Sequence, residues 1–560
     1  MNPTPQQVQD WLDGDPDEST RVELAALAAA DAPELAQRFA GPLRFGTAGL
    51  RGPVRAGPNG MNVAVVVRTT AGLARWLGEH GHGGGVVVVG RDARHGSAAF
   101  AEATAQVLRA AGFAVRQLPR PLPTPVLAFA VRDWGAVAGV QVTASHNPAA
   151  DNGYKLYLAG GAQLVPPTDA EIETATAAVG PANQVPRQPD PQPDAGPAEA
   201  LLQAYLDRVA ALPRGRERRL RVALTPLHGV GGQAGVEALR RAGFTDVHVV
   251  AAQAEPDPDF PTVAFPNPEE PGACDLLLAL AAEVDADLAV ALDPDADRCA
   301  VGVPTPDGWR MLRGDELGVL LGQHVLATLG AAPGAPDTAD AADPLVASTV
   351  VSSRLLAAVA AEHGARHAET LTGFKWLVRA GEGLVYAYEE AIGYCVDPDA
   401  VRDKDGISAA VLACDLAATL RAQGRGLPDV LDELALRHGL HAGDQVSVRV
   451  QHVEQSSAMM QRLRAALPTA LDGSTVAAED LRPRTDAVVL RGADVRVVVR
   501  PSGTEPKLKC YLEVVAPVAD RASLPAARAQ AAARLERLRT EVLALLGAPE
   551  PPVPGQPDAA

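Results

Sequence analysis

Four times along this chain a short apolar run ends in a polar loop marked by Gly or Pro, and a helix-like Ala/Leu stretch follows. Val86–Val89 runs into Gly90-Arg91-Asp92-Ala93-Arg94, and Ala136–Val142 into Thr143-Ala144-Ser145-His146-Asn147-Pro148. Leu220–Leu224 leads into TPLHGVGG, and Asp287–Leu292 into Asp293-Pro294-Asp295-Ala296-Asp297-Arg298. Near-continuous apolar runs suit strands covered on both faces, as in layered α/β folds. Ligands of open α/β sheets sit beyond the carboxyl ends of strands, and these loops fall there. The C-terminal part differs. Asp444–Val450 and Asp494–Val499 are strand-like and a charged helix follows near 525–546, which predicts a smaller α+β domain.

The length of 560 residues suggests three or four domains at ~150 residues each. Residues 21–40 read as one helix. Pro-rich 181–199 reads as a linker or long surface loop, 330–344 as a surface insertion, and the tail 549–560 as disordered. Asp and Glu number 68 against 50 Lys and Arg, a net charge of -18. Such a surface disfavours nucleic acid and anionic membranes, so an anionic ligand needs its own local cations. Five scattered cysteines lack metal-ligand spacing and fit free thiols in a reducing compartment. With no signal-peptide pattern and no long uncharged apolar stretch, the expected location is cytoplasmic.

Three loops carry recognisable chemistry. In Asp293-Pro294-Asp295-Ala296-Asp297, alternate residues of an extended segment would face one spot. Three carboxylates there repel one another unless a cation intervenes, and hard oxygen ligands suit Mg²⁺; the plain alternative is a solvated acidic turn. Ser145 stands at a strand-to-loop transition with His146 adjacent, but a serine needs a base, a metal or covalent modification to react. From that hexapeptide alone, capping or turn chemistry is as good a reading. Arg500-Pro501-Ser502-Gly503-Thr504-Glu505-Pro506-Lys507 joins a guanidinium, two hydroxyls, a Gly and a Lys, the inventory of a phosphate site, against a polar hairpin turn. Phe45-Gly46-Thr47-Ala48-Gly49-Leu50-Arg51-Gly52, Thr372-Gly373-Phe374-Lys375, Glu389-Glu390-Ala391-Ile392-Gly393-Tyr394 and Asp403-Lys404-Asp405-Gly406 are each weak alone.

Taken in chain order, from about residue 43 to about 515, the loops resemble those of the α-D-phosphohexomutase superfamily, on the side of the phosphoglucomutase-2 and phosphopentomutase enzymes. The resemblance implies three related mixed α/β domains (1–200, 201–313, 314–440) and a C-terminal α+β phosphate-binding domain (441–548) around a central cleft. It implies Ser145 as the phosphoryl carrier, with Asp293, Asp295, Asp297 and the phosphoserine oxygen holding one Mg²⁺. Arg51 and His146 would border the transfer site, and Lys155 and Lys404 would transfer protons or stabilise charge. Substrate would rest on Thr372, Gly373, Glu389, Arg298, Arg500, Ser502, Gly503, Thr504 and Lys507. The implied partner is a small phosphosugar, with a sugar bisphosphate as intermediate and activator. Glucose 1-phosphate to glucose 6-phosphate is the first expectation, with mannose and pentose phosphates as alternatives. One departure bears on this choice: Ala391 stands where many members carry a sugar-gripping Ser. A more distant alternative is a metal-dependent sugar phosphatase with an Asp nucleophile, which would leave Ser145 unexplained.

Overall fold

The computed structural model describes residues 3–30, 32–46, 49–190, 196–329, 343–450, 453–501 and 507–548. The chain divides into two compact units, residues 1–347 with 373–425, and residues 348–372 with 426–560.

The first unit contains two mixed sheets of matching design. In one, the strand order is Phe45–Gly46, Gly49–Pro53, Asp151–Leu158, Ala138–Val142, Val86–Arg91, Ala114–Gln117. In the other it is Gly308–Met311, Cys299–Thr305, Leu288–Leu292, Arg221–Thr225, Asp246–Val249. Each has a parallel core of three strands, and each adds an antiparallel strand directly after the loop of interest, Asp151–Leu158 in one and Cys299–Thr305 in the other, in place of the helix that the repeated pattern predicts there. Ala138–Val142 and Leu288–Leu292 are buried throughout, as double-sided strands require. Helices such as Val63–Glu79 and Ser97–Ala110 bury Val67, Leu73, Phe100 and Leu108 against Val87, Val140 and Tyr154. The hairpin Leu384–Glu389/Gly393–Cys395 and the almost wholly buried helix Gly406–Ala422 also belong to this unit.

The second unit is built on an antiparallel sheet ordered Leu440–Arg449, Lys507–Ala516, Val495–Pro501, Val488–Arg491, Ala477–Asp480. Helix Leu524–Leu546 sets Leu538, Val542 and Leu546 into a core with Val497, Cys510 and Leu512. This is the α+β arrangement expected of the C-terminal part.

Two local expectations change. Residues 21–40 are two helices, Glu18–Ala29 and Glu34–Arg38, because Pro33 cannot continue the first one and instead stands at the N-cap of the second. The stretch 181–199 is not wholly linker: Ala182–Gln184 forms a 3₁₀ turn, and helix Gly196–Ala210 starts within it, burying Leu201, Leu202 and Tyr205. Most of the 330–344 insertion and the tail 549–560 lie outside the described residues.

Candidate active site

Strand Leu288–Leu292 delivers the acidic loop, but not in the extended form expected from alternation. Ala296 N donates to Asp293 O at 2.8 Å, and Ala296 takes a left-handed φ of 54°. A tight turn, not the two-residue period of a strand, makes Asp293, Asp295 and Asp297 converge, with ligand oxygens within 4.8 Å of one another. All three are fully buried. Lys155 Nζ donates to Asp295 Oδ2 and Asp297 Oδ2, both at 2.6 Å, and Lys404 Nζ lies 3.4 Å from Asp297 Oδ2. Asp295 is also tied by Thr124, whose N donates to its carbonyl at 2.9 Å and whose hydroxyl donates to its carboxylate.

Burial by itself pushes every one of these carboxylates up, because it penalises the charged form. Around Asp297 the cations Lys155, Lys404 and Arg298 outweigh it and hold the carboxyl well below the usual range. At Asp293 burial and the two acidic neighbours outweigh the pull of Arg298 and Lys155, and the carboxyl is pushed well up. Even so, Asp295 Oδ1 and Asp297 Oδ1 are buried with no hydrogen-bond partner among the described residues. An unsatisfied buried carboxylate oxygen is costly. Two of them in a three-carboxylate cluster fit a hard divalent cation, so the trio is a candidate metal centre.

Ser145 stands at the end of strand Ala138–Val142 and also has a left-handed φ, 54°, which is uncommon without glycine. Its N donates to Thr143 Oγ1 at 2.9 Å, and its Oγ donates to Asp293 Oδ2 at 2.7 Å. His146 Nδ1 lies 3.9 Å from the same carboxylate oxygen without a hydrogen bond. Burial, with Arg298 and Arg51 nearby, holds its imidazole well below the ordinary value and therefore neutral. Arg51, from strand Gly49–Pro53, donates to Asn147 Oδ1 at 3.0 Å. Gly49 brings that strand in at φ 88°, where a Cβ would fall 2.5 Å from Tyr154 O.

The hairpin turn around Ala391 joins this cluster through main chain. Cys299 N donates to Ile392 O at 3.1 Å, and Arg298 bridges Gly393. Arg298 NH2 is 3.7 Å from Glu389 Oε1. Lys404 arrives on the loop before helix Gly406–Ala422, where a Cβ on Gly406 would meet Arg298 O at 2.3 Å. Its ammonium lies 5.2 Å over the Phe374 ring, next to Gly373. Burial opposes the charge on Lys155 and Lys404, but the facing carboxylates outweigh it and raise both. The depressed value that a lysine base needs is therefore not the environment found here.

Ser145, His146, Arg51, Lys155, the three aspartates, Arg298, Gly373, Glu389 and Lys404 thus share the first unit, Arg51 joined through Asn147 and all the others but Gly373 through direct contacts in this cluster. Thr372, Arg500 and Lys507 belong to the second unit. There Arg500 stands opposite Lys509 in the antiparallel pair Val495–Pro501 and Lys507–Ala516, while Ser502, Gly503 and Thr504 lie outside the described residues. Sequence reasoning passed over Thr124 and gave Asp403 no role of its own within its motif. Asp403 Oδ2 accepts from Tyr157 OH at 2.7 Å and Gln163 Nε2 at 2.6 Å, and its Oδ1 receives Lys404 Nζ at 3.3 Å. Apart from Lys404, their partners are more than 50 residues away in sequence, so no local pattern marks them.

A doubled α/β plan, a left-handed serine with its hydroxyl on a carboxylate, and a buried acidic trio suit a phosphoryl-handling enzyme. Comparison with known proteins agrees. Four family descriptions match in order: phosphoglucomutase/phosphomannomutase alpha/beta/alpha domain I at 42–182, domain II at 203–307, domain III at 313–437, and the C-terminal domain at 447–531. The chain is 40% identical to the "Probable phosphomannomutase" of Haemophilus influenzae, over 81% of this chain and 93% of that one. It is 34% identical to the "Probable phosphoribomutase" of Schizosaccharomyces pombe, over 91% and 94%. Its fold matches a phosphoglucomutase/phosphomannomutase family protein from Burkholderia thailandensis with a TM-score of 0.66 at 21% identity, covering 90% and 97%. The chain belongs to the phosphoglucomutase/phosphomannomutase family of the α-D-phosphohexomutase superfamily, and is a phosphomutase, an isomerase that moves phosphate within a molecule. Among the described residues, no helix is long and apolar enough to cross a membrane.

Proposed function

We propose that this phosphomutase interconverts hexose 1-phosphate and hexose 6-phosphate, glucose first, through a phosphorylated Ser145 and a sugar bisphosphate. The observation that carries it is Ser145 Oγ at 2.7 Å from Asp293, beside two buried carboxylate oxygens without hydrogen-bond partners among the described residues. Asp293, Asp295, Asp297 and the Ser145 oxygen would hold Mg²⁺, which when bound neutralises charge on phosphoryl oxygens. Arg51 and Arg298 add positive charge at the same place. Lys155 and Lys404 supply ammonium groups facing the acidic loop, and His146 borders it.

The P–O bond to Ser145 breaks as a bond forms to a sugar hydroxyl, whose proton leaves to a basic group or solvent. The bisphosphate turns and returns its other phosphoryl group to Ser145. Positioning and charge neutralisation are most of what phosphoryl transfer asks of a protein. Glu389, with Thr372 and Gly373, would grip sugar hydroxyls. Arg500, Ser502, Gly503, Thr504 and Lys507 would take the non-reacting phosphate, and the domains would divide near 201, 314 and 441.

A specific observation favours a second substrate. Ala391 lies in the turn between Glu389 and Gly393 and offers no hydroxyl. One hydrogen bond to a hexose is then missing, which suits pentose phosphates and the likeness to a phosphoribomutase. The test is a coupled assay with glucose 1-phosphate, mannose 1-phosphate and ribose 1-phosphate, each with its bisphosphate and Mg²⁺. Turnover of glucose 1-phosphate at least equal to the others supports the first reading, and exclusive turnover of the pentose overturns it. Ser145→Ala should lose on the order of 10⁴-fold or more in kcat; full activity in that variant removes the phosphoserine.

A further inference from the structure

We infer that Arg94 is the positioning residue of the phosphoryl-carrying loop: its guanidinium gathers the carbonyls of residues 145–151 and so holds Ser145 Oγ against Asp293. This rests on the phosphoserine reading above.

Four main-chain oxygens of one loop meet this single side chain. Arg94 NH2 donates to Ser145 O at 2.6 Å and to Asn147 O. Its NH1 donates to Pro148 O at 2.7 Å and Asp151 O at 3.1 Å. Carbonyls turned toward a common point repel one another, and a left-handed non-glycine residue costs a further ~1–2 kcal/mol. Such a conformation persists only where its surroundings over-determine it. The planar guanidinium is suited to this, because it presents five N–H donors in a fixed fork and never loses its charge.

Arg94 is itself fixed before any ligand arrives. Its side chain is 1% exposed. Asp92 Oδ1 accepts from Arg94 N at 3.0 Å and from Ser97 Oγ at 2.6 Å, and Asp92 N donates to Val142 O at 3.0 Å. Strands Val86–Arg91 and Ala138–Val142 run parallel with Arg91 opposite Val142, so the loops leaving them are neighbours. The Phe260 ring covers the guanidinium at 4.9 Å. Arg94 donates to loop carbonyls, not to the serine hydroxyl, so it acts through the loop's shape.

The experiment compares wild type with Arg94→Lys and Arg94→Gln, with Arg68→Ala as a control for loss of a partly buried arginine elsewhere. Intact mass after incubation with a sugar bisphosphate gives the phosphorylated fraction. Steady-state assays give kcat and KM per folded molecule, with folding followed by circular dichroism and melting temperature. A misplaced reacting group costs ~100-fold. Arg94→Lys and Arg94→Gln should therefore lose about that in kcat, with KM within about threefold and slow phosphorylation of the folded protein, while Arg68→Ala keeps wild-type kcat. Wild-type kcat and phosphorylation rates in either Arg94 variant overturn the inference, and so does a loss that only tracks the unfolded fraction. If wild-type protein itself never carries the adduct, it is the phosphoserine reading that fails.

Discussion

At the scale of single residues, the site stores an arrangement that its own atoms disfavour. Three carboxylates are buried together, and Lys155 satisfies one oxygen each of Asp295 and Asp297 but leaves the other oxygens without a hydrogen bond. Chelator treatment should therefore abolish activity and Mg²⁺ should restore it. Asp297→Asn should weaken Mg²⁺ binding by at least ~10-fold, as read by titration calorimetry. Unchanged Mg²⁺ affinity in that variant would remove the trio as the metal centre. Ala391→Ser should favour hexose over pentose by up to ~10-fold in the ratio of kcat/KM values, the worth of one added hydrogen bond. An unchanged ratio would mean that the turn does not reach the sugar. The residue types were readable in advance: acidic trio, serine, lysines and arginines all stand in short motifs. Their convergence was not, because the acidic loop folds as a turn around left-handed Ala296, and its apolar side chain gives no hint of that conformation.

Elements position these residues by how they begin and end. Helix Gly406–Ala422 starts at Asp405, whose Oδ1 accepts from Ile407 N at 3.0 Å, Ser408 N at 3.1 Å and Tyr205 OH at 2.9 Å. Burial outweighs these hydrogen bonds and pushes its carboxyl up to about 6 from an ordinary 3.8. Below the ordinary value the group is protonated in both folded and unfolded chains and costs nothing. As pH rises from about 4 to about 6 the unfolded chain loses its proton first, so folding stability falls. Asp405→Asn keeps an oxygen for all three donors and removes the charge. Its stability relative to wild type, by denaturant titration, should rise across that range and stand above wild type at pH 8 by roughly 1–3 kcal/mol. Asp405→Ala should cost about 1 kcal/mol through the lost cap. Parallel wild-type and Asn profiles would sink this account. The capping residue is visible in the sequence as an Asp before a glycine and an apolar run; its burial under Tyr205, 200 residues away, is not.

For the molecule, the two units have different internal anchors. In the second, Glu513 accepts from Arg354 Nε at 2.8 Å and Ser353 Oγ at 2.7 Å, with Arg496 NH2 at 3.4 Å and His441 Nδ1 at 3.2 Å. Burial alone would push this carboxyl up, but His441, Arg496 and Arg354 together hold it well below its ordinary 4.5. Its stabilisation is complete above pH ~4.5 and is lost as pH falls toward the depressed folded value. Glu513→Gln leaves Arg354 without its anion and Arg496 with Glu369 alone, and should cost about 3–5 kcal/mol at pH 7, with the deficit shrinking in acid. An equal deficit at pH 3 and pH 7 would contradict the charge account.

Apolar runs, loop motifs and charge were enough to read the α/β layers, the C-terminal α+β part and the inventory of the site, because burial periodicity and side-chain chemistry are local properties. The break at Pro33, the helix inside the Pro-rich stretch and the single cluster joining residues 51, 145, 155, 298, 389 and 404 came from packing. Contacts between distant segments set those features, and no window of neighbouring residues contains them.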